Sequence, residues 1–388
     1  MYFLPSVLRF YLLNFSFQRF NFKLATKACF VIALAALLPA ENCLAADLLA
    51  AKQNRAEQTR VQQNRAKPPA AEIRHYGERA DVNLFISEMV TKHEFVETEL
   101  KTLFSKAQYL DYVPRLMNPA PANFKRSWAV YRSRFLDQLR IREGVKFWRA
   151  HAKAVALASE RYGVPQEIII GIIGVETIYG RNTGDVRVVD ALSTLAFDYP
   201  RRAEYFRGEL ENFLLLAREN KLEVFDVKGS FAGAIGIPQF MPGSIRRYAV
   251  DFDGDGIIDL KSNPTDAIGS VAKFLADHGW QRGAPTQFTL QAKNPVELSQ
   301  SSEVASLILA GLTPKFSKNE IEAAGFSALG APDDETKYAL IDLPNGDDAT
   351  SYFLGPQNFF VITRYNRSSF YAMAVIELGQ AVKLAMQR

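Results

Sequence analysis

The sequence predicts a mainly α (α+β) fold, a helical body carrying a small strand-rich insertion, and three observations point there. Long stretches such as "NLFISEMVTKHEF" and "FLDQLRIREGVKFWRAHAKAVALASERYG" space apolar residues three and four apart, the period of a helix with one buried face. Between about 285 and 357 the texture changes to short alternating runs, "PTQFTLQAK", "KYALIDLP" and "TSYFLG", bounded by Pro, Gly and Asp as strands are. Finally, 388 residues with 48% hydrophobic and 12% aromatic content can bury a core of two or three domains.

Taken in order, residues 1–46 read as an export leader rather than fold. Arg9, Arg19, Lys23 and Lys27 precede the apolar "ACFVIALAALLPA", and the small residues of "CLAAD" offer a cleavage site after Ala45 or Ala46. The length and apolarity of "MYFLPSVLRFYLLNF" also suit an uncleaved anchor, whereas "AENC" lacks the leucine expected three positions before a lipidated Cys43. Either way the destination expected is the periplasm. Both cysteines, Cys29 and Cys43, fall inside this leader, so the body of the chain has no disulfide. Removing the leader takes away four basic residues and Glu41, leaving about +1 of the formal net charge of +4, too little for a nucleic-acid footprint.

Residues 47–71, polar and ending in Pro-Pro, read as a flexible tether. A helical domain is expected over 72–157 and a central helical part over 158–284, in which a helix opens near Val164-Pro165 with proline in its first turn. A further helical stretch, "RVVDALSTLAFDYPRRAEYFRGELENFLLLARE", follows "GRNTG". The strand-rich insertion spans 285–357, and 358–388 returns to helix with "SSFYAMAVIELGQAVKLAMQ". No internal repeat is visible.

The residue that needs explaining is Glu176. It ends an apolar run through Ile168, Ile169, Ile170, Ile172, Ile173 and Val175. An ionised carboxylate buried without a partner costs several kcal/mol, so it must find a cation or take up a proton. The first outcome makes it a salt bridge, with Arg181 or Arg187 nearest in sequence; the second makes it a general acid.

Three motifs follow. In "GSFAGAIGIPQFMPGS", residues 229–244, small residues let the backbone approach a neighbour, which serves tight helix packing or a ligand cleft equally well. In "DFDGDGIIDL" the carboxylates of Asp251, Asp253 and Asp255 stand at positions 1, 3 and 5 of a calcium loop with Gly256 at 6. Position 12 is Ser262 rather than a bidentate glutamate, so Asp266, with the carbonyl of Ile257 at position 7, is expected to complete the set. Near the C-terminus, "RYNRSSFYAMAV" gathers Tyr365, Asn366 and Tyr371, which suit either sugar contacts or the polar rim of a core. His75, His93, His151 and His278 have no metal-ligand spacing, and no Gly-x-Ser-x-Gly elbow is present.

The order "GVETIYG", "DYPRR", "GSFAGAIGIPQFMP", "DFDGDG…DAIGSVAKFLADHGW" and "RYNRSSFYAMAV" resembles the bacterial lytic murein transglycosylase B family over roughly residues 72–388. That resemblance implies a lysozyme-like core with an added helical domain, a small strand-rich domain and a calcium loop, and no organic cofactor. It implies that Glu176 is the single acid/base of a peptidoglycan lyase. Ser230, Gln239, Tyr365, Asn366 and Tyr371 would line the cleft, and Arg201, Arg202 and Tyr131 would meet glycan or peptide. Partners implied are peptidoglycan glycan strands and other cell-wall enzymes. Where some members carry Tyr after the calcium loop, this chain has Phe274.

A hydrolytic muramidase would need a second carboxylate, for which Asp185, Asp190 and Asp198 are nearest in sequence. A domain that only binds cell-wall glycan could dispense with the carboxylate at 176, and this chain keeps it.

Overall fold

The computed structural model describes residues 74–119, 121, 124–298 and 300–388. The leader, its cleavage site and the tether expected over 1–71 lie outside the described residues. Among the described residues no helix is long and apolar enough to cross a membrane.

At the centre lies the helix Gln166–Thr177, whose residues from Ile168 to Thr177 are all buried. A helix apolar on every face must be covered on every face. The C-terminal helix Ser369–Met386 covers most of it, and helices Gln138–Ala150, Ala152–Tyr162 and Pro264–Asp277 pack around the remainder. Glycine sets how closely the two principal helices approach. A Cβ at Gly171 would overlap the carbonyl of Val375, and one at Gly379 would overlap the carbonyl of Glu167. These pairs fix an antiparallel register that carries Tyr371 to Glu176.

The stretch between "GRNTG" and Glu219 is two helices, Val188–Asp198 and Ala203–Glu219, because Tyr199-Pro200 breaks it into a 3-10 turn, Pro200–Arg202. The N-terminal helices Ala80–His93 and Glu97–Lys106 dock on the first of them. Phe85 and Phe104 meet Phe197 edge to face at 5.9 and 6.2 Å, while Arg79 and the Tyr76 hydroxyl both bond Asp198 at 2.8 Å.

The alternating runs form one antiparallel sheet in the order Phe326–Ala328, Phe288–Ala292, Asp348–Gly355, Ala339–Asn345. Strand Ala339–Asn345 shows why its sequence is apolar yet alternating. Ala339, Ile341 and Leu343 face the main core, and Leu340 faces a separate cluster with Leu290, Ile321, Phe326 and Leu354. The sequence did not announce the fourth strand, Phe326–Ala328, nor the short helices Pro295–Leu298, Ser302–Leu309 and Lys318–Ala323 between strands. Lys318–Ala323 is only six residues long and owes its start to a capping box of Ser317 and Glu320, too short a pattern for apolar periodicity to reveal.

Candidate active site

Glu176 stands one residue before the end of its helix and is 6% exposed. Beyond it the chain turns through three successive left-handed residues, Ile178, Tyr179 and Gly180, at φ 52°, 59° and 83°. For a β-branched residue this is a genuine outlier, and such strain persists only where surroundings enforce it. Here they do. The Tyr179 ring is wedged where a Cβ at either Gly144 or Gly174 would strike its hydroxyl, and Gly180 N–H donates to Thr177 Oγ1 at 2.9 Å.

Burial pushes the Glu176 carboxyl up to about 8, opposed only by the Tyr371 hydroxyl, which donates to Oε1 at 2.6 Å and favours the charged form. No cation contributes. Arg181 pairs with Glu143 at 3.3 Å and Arg187 with Asp190 at 2.6 Å, so the salt-bridge reading of Glu176 does not hold. Tyr371 itself is fully buried in the first turn of its helix, where Ser368 caps its N–H at 3.3 Å. Its phenol is held well above the ordinary range by burial first and by the neighbouring Glu176 charge second, so it stays a donor.

Tyr131 feels the same charge, and its buried hydroxyl has no partner. It reaches this position from the short helix Trp128–Arg132, against Phe370 at 5.3 Å. Asn366, 6% exposed at the end of helix Gln357–Tyr365, likewise leaves Oδ1 unpartnered. Buried polar atoms without partners call for an explanation, and a ligand is one.

Among the remaining predicted residues, Gln239 and Tyr365 hold the loop around 235–240 and Ser230 closes the turn before it. Ser230 Oγ accepts from the N–H groups of Ala232 and Ala234 at 3.3 and 3.0 Å. Gln239, itself at φ 52°, donates from Nε2 to the carbonyls of Gly236 and Thr183 at 2.9 and 3.0 Å. Tyr365 donates to the Pro238 carbonyl at 2.5 Å and lies parallel to Tyr371 with ring centroids 6.3 Å apart. Phe274, which stands where some family members carry Tyr, packs edge-on against Tyr365 at 4.9 Å, an apolar contact. Arg201 and Arg202 occupy the 3-10 turn, with Arg202 stacked on Tyr205 at 4.2 Å; neither contributes to the ionisation of Glu176.

Of the three carboxylates nearest Glu176 in sequence, two are engaged by other partners and one is exposed. Asp190 is paired with Arg187 and also accepts the Gln108 N–H at 2.9 Å, Asp198 is tied to Arg79 and Tyr76, and Asp185 is exposed. No second carboxylate contributes to the ionisation of Glu176.

In the acidic loop, Asp251, Asp253 and Asp255 each present an oxygen within 4.8 Å of the others. Glycines at φ 78° and 88°, Gly254 and Gly256, let the backbone curl inward. Their N–H groups bond Asp251 at 2.6 and 2.8 Å, and the Gly256 bond is the largest cause that holds the Asp251 carboxyl below its usual range. Three hard oxygens converging in this way, two on exposed carboxylates and one on a half-buried one, suit a calcium ion. Asp266 differs from expectation. It is fully buried outside that cluster, with Oδ1 and Oδ2 each accepting a backbone N–H, from Phe252 and Asp259, at 2.8 Å. Burial raises its pKa, with the charges of Asp253 and Asp251 adding to the effect. Sequence reasoning also passed over Thr177, Tyr179 and the glycines 144, 171, 174 and 379; the only signal was glycine recurring inside otherwise strong helices.

Residues 77–380 match the family model described as the transglycosylase SLT domain. The chain is 43% identical over 318 residues to the membrane-bound lytic murein transglycosylase B of Escherichia coli (strain K12), covering 80% of this chain and 84% of that one. Among solved structures, the catenated lytic transglycosylase SltB1 of Pseudomonas aeruginosa superimposes with a TM-score of 0.73 at 44% identity, covering 80% of this chain and 99% of that one. An Escherichia coli lytic transglycosylase solved in complex with calcium gives 0.72 at 42% identity, covering 81% and 96%. The chain belongs to the SLT-domain transglycosylases, in the lytic murein transglycosylase B family.

Proposed function

We propose that this chain is a peptidoglycan lytic transglycosylase in which Glu176 acts first as acid and then as base on the bond between N-acetylmuramic acid and N-acetylglucosamine. The observation that carries the reading is a buried carboxyl with one hydroxyl donor and neither a cation nor a second carboxylate acting on it. Because Tyr371 donates to Oε1, the proton belongs on Oε2, free to pass to the glycosidic oxygen. That transfer lets the C1–O bond break and the N-acetylglucosamine leave with its 4-hydroxyl restored. Glu176, now a carboxylate, takes the proton of the muramyl C6 hydroxyl as O6 closes on C1, giving the 1,6-anhydro ring. The substrate supplies its own nucleophile, so one carboxylate suffices where hydrolases use two.

Around this centre we assign the Tyr131 hydroxyl, Asn366 Oδ1 and the hydrogen of Ser230 Oγ to sugar polar groups, and Arg201 and Arg202 to glycan or peptide further along the strand. Gln239 and Tyr365 shape the cleft through the loop they hold. Asp251, Asp253 and Asp255, with the Ile257 carbonyl, would hold a calcium ion, which when bound draws the loop's carboxylates together. Murein as substrate places the action at the cell envelope, and the 1–46 leader supplies export to the periplasm. Digestion of purified sacculi followed by mass analysis of the released muropeptides tests the reaction. Anhydro ends are expected; reducing ends alone, heavier by one water, would overturn it in favour of hydrolysis.

A further inference from the structure

Three consecutive carbonyls of the loop beside the acid are each held by a side chain, one from the loop itself and two from distant segments of the chain. Gly236 accepts from Gln239 at 2.9 Å, Ile237 from Thr177 Oγ1 at 2.8 Å, and Pro238 from Tyr365 at 2.5 Å. Only Thr177 is contiguous with Glu176. Its hydroxyl also accepts the Gly180 N–H at 2.9 Å, and its own carbonyl accepts the Asn182 N–H at 2.9 Å. The same hydroxyl lies 3.4 Å from the Ile173 carbonyl, a much longer contact than the one to Ile237. Thr177 is fully buried, so bulk water does not compete for these bonds. The strained turn and the loop also touch directly, since a Cβ at Gly180 would come within 3.3 Å of Ile237.

We propose that Thr177 is a positioning residue whose hydroxyl sets the spacing between the Glu176 carboxyl and the 236–240 loop. The inference rests on Glu176 as the acid. Its backbone neighbour anchors the loop that Tyr365 holds from another side and that Gln239 closes internally and ties to the Thr183 carbonyl, so acid and loop move as one body. Positioning errors of about 1 Å reach ~10²-fold in rate, which gives the bond scope to matter without touching substrate.

The test compares Thr177→Val, which keeps the shape and loses the hydroxyl, with Thr177→Ser, which keeps the hydroxyl, in the full chain acting on sacculi. Thr177→Val should lower kcat roughly tenfold with KM changed less than about twofold, the pattern of a lost transition-state arrangement. Its alkaline limb should move to lower pH, because a loosened loop lets water reach the carboxyl and relaxes the desolvation. Thr177→Ser should restore both. Should Thr177→Val not fold, Thr177→Cys, a weak donor of similar size, takes its place with the same expectation. A falling melting temperature with kcat and pH profile unchanged would overturn the proposal, and so would equal losses in the serine and valine or cysteine variants. Glu176→Gln run alongside separates the two readings: if it stays active, the acid assignment fails; if it is dead while Thr177→Val is fully active, only the positioning role fails.

Discussion

Glu176 and the Asp251–Asp255 loop are two acidic sites built by opposite means. Glu176 sits at the end of an all-apolar helix, has one hydroxyl partner, and is pushed up to about 8. Asp251 lies in a glycine-opened turn, with backbone N–H groups directed at both oxygens, and is held below its usual range. Burial without charge makes a proton donor, whereas exposure with converging dipoles makes a cation ligand. Asp190 shows a third outcome, since it is as buried as Glu176 but Arg187 stands 2.6 Å away. The carboxyl group is common to all three, and its surroundings assign its task.

The sharpest way to break this contrast is Glu176→Gln, which keeps shape and removes the proton. We expect muropeptide release to fall ~10²–10⁴-fold, the usual worth of general acid–base help, with the fold intact. A variant keeping more than a tenth of wild-type turnover would remove Glu176 from that role. Next in size is Tyr371→Phe. Loss of one hydrogen bond to the carboxyl should lower kcat about tenfold, equivalent to ~1.4 kcal/mol. Because the hydroxyl favours the charged form of Glu176, its removal should also shift the alkaline limb of the pH–rate profile upward. A downward shift would mean that Tyr371 stabilises the protonated acid instead.

The wild-type profile sharpens the comparison. Activity should persist until an alkaline limb near pH 8, where an ordinary carboxyl at 4.5 would already be ionised. Stability follows with a definite sign. The folded pKa lies above the unfolded one, so the contribution of Glu176 is full below about 4.5 and is lost as pH rises through about 8. The melting temperature of Glu176→Gln, which cannot ionise, should therefore gain on wild type between those values. A gap that stays constant over this range would show the buried group to be held as a carboxylate. The smallest effect is expected at the exposed site. Chelating calcium should lower the melting temperature by a few degrees and leave the chemistry in place, since an ion that binds only the folded loop stabilises it by mass action. An unchanged melting curve, in protein first shown to contain the metal, would deny the loop a stabilising role.

Much of this was readable before any tertiary contact was known, wherever the code is local. The apolar run into Glu176, the alternation of Ala339–Asn345 and the one, three, five spacing of the acidic loop are all patterns of near neighbours. For Asp266, spacing shows that a carboxylate is near the loop, and the N–H groups of Phe252 and Asp259 decide where its oxygens point.

The sequence by itself determined that a carboxylate would be carried into an apolar interior and must there be either paired or protonated. Only the tertiary structure decided between the two. It sent Arg181 to Glu143 and Arg187 to Asp190, and it brought Tyr371 from 195 positions away to the carboxyl oxygen. Helix period and turn chemistry act over a few residues and leave their signature in the letters. Which two helices meet, and in what register, depends on glycines such as Gly171 and Gly379 that carry no side chain and work through the space they leave for another segment's backbone.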